Sequence, residues 1–116
     1  MYTDSTNSPI EIPSLKEAGV LLRNNRWVKR KYPILRAYLA GSVVRGEASP
    51  ESDIDILLVI PPVRGKSALK VSEQYHSRFE LEAQQTHYKG RVVDFQFYYE
   101  SDENEILSMA KVKLLK

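Results

Sequence analysis

Two aspartates, Asp53 and Asp55, stand one residue apart at the start of an apolar run, Ile56 to Ile60. A Gly41-Ser42 pair, separated from Asp53 by a ten-residue spacer, closes another apolar run, Ile34 to Ala40. On a strand, residues two apart point to one face, so both carboxylates would project together. Alone they would repel each other, and one would resist ionisation. A divalent cation removes that penalty, and hard carboxylate oxygens suit Mg²⁺ held against phosphate oxygens. A glycine-serine turn can offer backbone N–H groups and a hydroxyl to a phosphate. The combination points to phosphoryl chemistry on a nucleotide.

A third carboxylate would complete a two-metal site and accept a proton from an attacking hydroxyl. Asp94 is the first candidate, because it interrupts the otherwise apolar and aromatic stretch Val92-Val93-Asp94-Phe95-Gln96-Phe97. It can join the pair if its strand lies beside that of Asp53 and Asp55. Glu51 is the second candidate, nearer in sequence but on a loop with no strand to fix it. Each residue also has a plainer explanation. Asp-x-Asp often marks a strand edge or a cap, Asp94 could face solvent on an edge strand, and Ser42 could be a turn serine. Arg45 could reach a phosphate or pair with Glu47, with Gly46 shaping the turn.

These residues need elements to hold them. Ser14-Leu15-Lys16-Glu17 is a capping box, predicting a helix from Ser14 to about Lys31 with Leu15, Ala18, Leu21, Leu22 and Val28 on its buried side. Tyr32-Pro33 should end it. Strands are expected over residues 34–40 and 53–60. In the second, Ile54, Ile56, Leu58 and Ile60 share one face and Leu57 and Val59 the other, as in a central strand covered on both sides. Pro61-Pro62 stops it, and Ser67 caps a helix to about Arg78. Residues 79–85 fit either a strand or a continued helix. A hairpin is favoured, with strands near 82–88 and 91–99 joined at Lys89-Gly90. Asp102 to Glu105 resembles another capping start, predicting a last helix to about Leu115.

The 116 residues fit a single domain over 14–116, preceded by a flexible polar tail over 1–13. The fold class expected is α+β, with a mixed sheet of about four strands packed with helices. No cysteine is present, which excludes disulfides, thiolate metal sites and a cysteine nucleophile. A reducing cytoplasm fits that composition. The net charge of +2 says little about partners. Met1 to Pro13 lacks the apolar core of a signal peptide, and the run from Ile54 to Val63 is broken by Asp55 and two prolines, so no membrane span is expected.

The stretch from Tyr38 to Ile60 resembles the signature of the DNA polymerase beta-like nucleotidyltransferase superfamily, which includes kanamycin nucleotidyltransferase and the CCA-adding enzymes. The short chain and ten-residue spacer most resemble the minimal nucleotidyltransferase (MNT) family. Residues 88–99, where a glycine turn leads to Asp94, support the likeness. The resemblance implies that Gly41 and Ser42 bind nucleotide phosphates, with Arg45 as the nearby cation. It implies that Asp53, Asp55 and Asp94 hold two Mg²⁺ ions, Asp94 as third ligand or general base. The reaction implied is transfer of a nucleoside monophosphate, AMP if the substrate is ATP, to an acceptor hydroxyl, with pyrophosphate released. Many members carry arginine directly after Gly-Ser; Val43 stands here.

Small MNT proteins are often paired with a helical HEPN-type protein, as the antitoxin of a toxin–antitoxin pair, and that partner is expected. A non-catalytic partner-binding subunit with the same fold is the competing expectation. A nucleic-acid-binding domain is a third, resting on Arg23, Arg26, Lys29, Arg30 and Lys31, which otherwise make a solvated helix end. Val20 and Trp27 form either a partner-binding strip or a surface under the tail. Arg64 and Lys66 read as an exposed loop. His76 and His87 carry no assigned role, and Phe95, Phe97, Tyr98 and Tyr99 read as strand core.

Overall fold

The structure, a computed structural model, describes residues 10–26, 28, 31–76, 84–109 and 111–116. Helix α1 (Leu15–Asn24) begins at the expected capping box: Ser14 Oγ accepts from the Glu17 amide, and Glu17 accepts from the Ser14 amide. It stops a full turn and more before Lys31. The cause is Asn25, whose amide N–H turns back to Leu22 while its side chain donates to Gln84 O and Thr86 Oγ1. That pull ties the chain to a distant strand instead of letting the helix continue. Val28 is buried nonetheless, from outside the helix.

Strand β1 (Arg36–Ala40) leads directly into a five-residue helix, α2 (Gly41–Arg45), where only a turn was expected. Strand β2 (Ile54–Ile60) follows the spacer, and α3 (Ala68–His76) starts at the Ser67 hydroxyl, which accepts from Lys70 N–H. Strands β3 (Thr86–Tyr88) and β4 (Arg91–Tyr99) form the hairpin. Lys89 and Gly90 at its tip both have positive φ, 49° and 86°, as a two-residue type I′ turn requires. The remainder of the expected 82–88 strand and the ambiguous 79–85 stretch fall partly outside the described residues.

The final helix is shorter than its sequence suggested. A turn of 3₁₀ helix leads into α4 (Glu103–Leu107), and the chain then extends into β5 (Lys113–Leu114). Asp102 makes no capping hydrogen bond. Glu103 instead turns inward to Arg36 and Tyr38 on β1. Beyond α4, β5 pairs with the free edge of β1, and Leu115 enters the core with its amide donating to Ala37 O. A helix to Leu115 would have left that sheet edge uncovered.

The described residues thus form a five-stranded mixed sheet in the order β3-β4-β2-β1-β5. Strand β2 is central, antiparallel to β1 and parallel to β4. One face, with Ile54, Ile56, Leu58, Ile60, Val93, Phe95 and Phe97, packs under α1 and α3. The other carries a smaller cluster of Tyr38, Ala40, Leu57, Val59 and Ile106. The large core therefore lies on one side of the sheet, and α4 covers only part of the other. Pro13 is fully buried and Ile12 packs on the core, so the chain is docked before α1 begins. Among the described residues no helix is long and apolar enough to cross a membrane.

Candidate active site

Asp55 and Asp94 are direct partners in the register between the parallel strands β2 and β4. Neighbours in register share a face, so both carboxylates project from the less covered side, with Cα atoms about 4.8 Å apart by strand spacing. Asp53, just before β2, is exposed at the same end. Burial raises the Asp55 pKa above the ordinary carboxylate value; the charges of Asp94 and then Asp53 raise it further, and Arg45 opposes them. Asp94 is likewise raised by burial, lowered by His76, raised by Asp53 and lowered by the Gln96 amide. Each of the three acids therefore lies within electrostatic reach of another. The loop residue Glu51 is exposed and makes no part of this group.

Gly41 holds the other flank. Its φ is +77°, and a Cβ placed on it would sit 2.0 Å from Asp55 Oδ2 and 3.0 Å from Cγ. A side chain there and the Asp55 carboxylate cannot occupy their positions together, so glycine lets the backbone lie against the acid. Ser42 follows in the same turn. Val43 and Val44 pack onto the core, which explains an apolar residue after Gly-Ser: it anchors α2 to the sheet. Arg45 pairs with Glu47, Nε to Oε1 at 2.9 Å, while its charge acts on Asp55.

Three residues with no role assigned from the sequence now have places. His76, at the end of α3, brings Nδ1 to 3.5 Å from Asp94 Oδ1. It lines, with Asp53 and Asp94, a cavity of about 200 Å³. Nothing in the sequence links it to Asp94, from which it is separated by a hairpin. Gln96 could have been found, since it lies two residues beyond Asp94 on the same strand. Arg91, at the start of β4, donates from Nη1 to Ser49 O and Ser52 O, both at 2.9 Å. It thereby clamps the spacer loop that delivers Asp53, and Ser49 N–H donates to Ser52 Oγ within that loop.

Of the basic cluster, Lys31 Nζ donates to the Arg23 carbonyl, and Lys29 and Arg30, with the nearby Trp27, lie outside the described residues. Lys66 bonds Gln74, and Phe95, Phe97 and Tyr99 fill the core, whereas Tyr98 faces the acid side. Among the described residues no three His, Asp or Glu side chains converge tightly enough to hold an ion by themselves. The donor chemistry still suits Mg²⁺, which keeps several waters and is usually bound by one or two carboxylates plus substrate phosphates.

A Sulfolobus solfataricus protein whose crystal structure is described as that of a candidate nucleotidyltransferase has a similar fold, with a TM-score of 0.51 at 19% identity, over 87% of this chain and 78% of that one. A search of curated proteins finds no match. Residues 25–115, from the end of α1 through β5, match the nucleotidyltransferase domain family, and the protein belongs to it.

Proposed function

We propose that this protein is a metal-dependent nucleotidyltransferase that moves a nucleoside monophosphate, AMP from ATP, onto a hydroxyl of a separate protein. The single observation that carries this reading is the pairing of Asp55 with Asp94 across two parallel strands, with Gly41 pressed against Asp55. Family membership supplies the reaction class.

In this reading Gly41 and Ser42 bind the phosphates, with Arg45 nearby as a cation. Asp53, Asp55 and Asp94 would hold Mg²⁺, which when bound supplies positive charge to the phosphate oxygens. Asp94 is the general base: it takes the proton of the acceptor hydroxyl, whose oxygen then forms the bond to the α-phosphorus while the bond to pyrophosphate breaks. In the metal-free protein burial raises its pKa, His76 opposes that and Asp53 adds to it. Arg91 and Gly41 act as positioning residues, one through the loop before Asp53 and the other through Asp55.

The biological setting we favour is that of an MNT antitoxin acting on a helical HEPN-type partner in the cytoplasm. The test is incubation with α-labelled ATP, Mg²⁺ and a co-purified partner. Label on the partner with pyrophosphate release, lost in Asp53→Asn/Asp55→Asn, is expected. The competing reading is a non-catalytic subunit that retains the fold to bind a partner. Val43 in place of an arginine, and carboxylates not gathered into a cage, are the observations in its favour. A tight complex that never accepts label would decide for it.

A further inference from the structure

A groove of about 550 Å³ runs beside β4, between α3 and the start of α4. Strand β4 contributes Gln96 and Tyr98, α3 contributes Leu69 and Glu73, Asp102 comes from the 3₁₀ turn and Glu105 from α4. His76 also lines it, and His76 contacts Asp94. Gln96 lies on the face of β4 that carries Asp94, two residues on. The groove therefore adjoins the third acid through His76, which also lines the cavity at Asp94.

Its position has a chemical meaning. Across the sheet the order is Gly41, Asp55, Asp94 and then the groove. In-line displacement puts the attacking oxygen and the leaving pyrophosphate on opposite sides of the phosphorus. With phosphates at Gly41 and Ser42, the acceptor must approach from the β4 side. The small cavity lined by Asp53, Asp94 and His76 lies against the acids there, and the groove continues on the far side of His76.

Its lining selects the acceptor. Glu73, Asp102 and Glu105 are carboxylates, and no lysine or arginine lines the groove among the described residues. A nucleic-acid strand would bring phosphate charges against them. A basic segment would be attracted, and Leu69, 69% exposed, offers it an apolar contact. From Asp94 to Tyr98 is four residues of strand, about 13 Å. A ligand that fills this length must carry its cation well away from its hydroxyl, a spacing that an extended peptide meets with about four residues.

We infer that the acceptor is a basic protein segment, which presents a hydroxyl side chain at Asp94 and lays lysine or arginine along the groove between α3 and β4. The position of the hydroxyl rests on the transfer reaction proposed above; binding of the segment does not.

The experiment is fluorescence anisotropy on the full chain without nucleotide or metal. The probe is a labelled peptide with one tyrosine and lysines about four residues from it. The expected result is binding that weakens with salt and falls ~10-fold or more in Glu73→Lys/Glu105→Lys. Glu73→Gln/Glu105→Gln, a milder change at exposed positions, should weaken it in the same direction, with melting curves reporting the fold of both variants. Absence of binding, or equal binding by the folded charge variants, overturns the inference. So does equal binding of a glutamate-for-lysine peptide or an oligonucleotide, or preferential binding of a hydroxylated polyamine. Transfer of label without preference for the basic peptide removes this inference and keeps the transferase reading. Groove-dependent peptide binding without any transfer does the reverse.

Discussion

Gly41→Ala should damage the site more than the fold, and Gly46→Ala supplies the comparison. The two glycines have nearly the same backbone, φ +77° and +76°. Alanine in that region costs about 1–2 kcal/mol at either position. At Gly46 a Cβ meets nothing within 4 Å, so the cost ends there. At Gly41 it would lie 2.0 Å from Asp55 Oδ2, and the Asp55 side chain must leave its rotamer or the turn must move. Displacing a side chain in this way adds about 1 kcal/mol. Gly41→Ala should therefore lose about 2–3 kcal/mol, a drop in Tm on the order of 10 °C for a domain of this size, and Gly46→Ala roughly half of that. The functional contrast is larger. A carboxylate moved by about 1 Å costs roughly 10²-fold in rate, and Gly46→Ala leaves Asp55 untouched. Thermal melts and Mn²⁺-dependent binding of a non-hydrolysable ATP analogue would read both terms. Equal losses of binding in the two variants, or full binding in Gly41→Ala, would refute the close approach as the reason for glycine.

Asp55 and Asp94 both have folded pKa values raised above 3.8, so the native state binds more protons than the unfolded state as pH rises from that value. Stability contributed by these groups is present at low pH and falls through the window above 3.8. Asp55→Asn and Asp94→Asn should each raise the Tm of the metal-free protein at neutral pH, while added Mg²⁺ should raise the Tm of the wild type more than that of either variant. Glu103 has the opposite sign. Its hydrogen bonds from Arg36 and then Tyr38 lower its pKa, so its contribution is present above 4.5 and lost as pH falls. A Glu103→Gln variant should show a weaker loss of Tm on acidification over that range. Arg91→Ala removes two donations to the spacer loop and should cost about 1–2 kcal/mol, with a weaker Mn²⁺ site; Arg91→Lys should recover part of both, and an unchanged Mn²⁺ affinity in a folded Arg91→Ala would exclude the clamp as a positioning device.

What could be read from the sequence was local or strictly periodic. The capping box at Ser14, the alternation in β2 and the Lys89-Gly90 turn each depend on a few adjacent residues, and each formed. What failed depended on remote partners. Asn25 ends α1 because Thr86 and Gln84 are there to receive it. The C-terminal segment leaves its helix because β1 has an open edge, which no property of residues 108–115 announces. The placement of Asp94 was inferable because a lone acid in an aromatic strand has few explanations. The approach of His76 was not, since its distance from Asp94 is set by how α3 packs on β4. Gly41 showed as a turn glycine, but the carboxylate that forbids a Cβ came only with the antiparallel register of Ala40 and Asp55.

The most direct measurement is paramagnetic broadening of backbone resonances by Mn²⁺ in the presence of a non-hydrolysable ATP analogue. Signals from Gly41, Ser42, Asp53, Asp55 and Asp94 should broaden first, and Asp55→Asn should abolish the effect. Broadening centred elsewhere, or unchanged by Asp55→Asn, would show that these acids do not form the nucleotide–metal site.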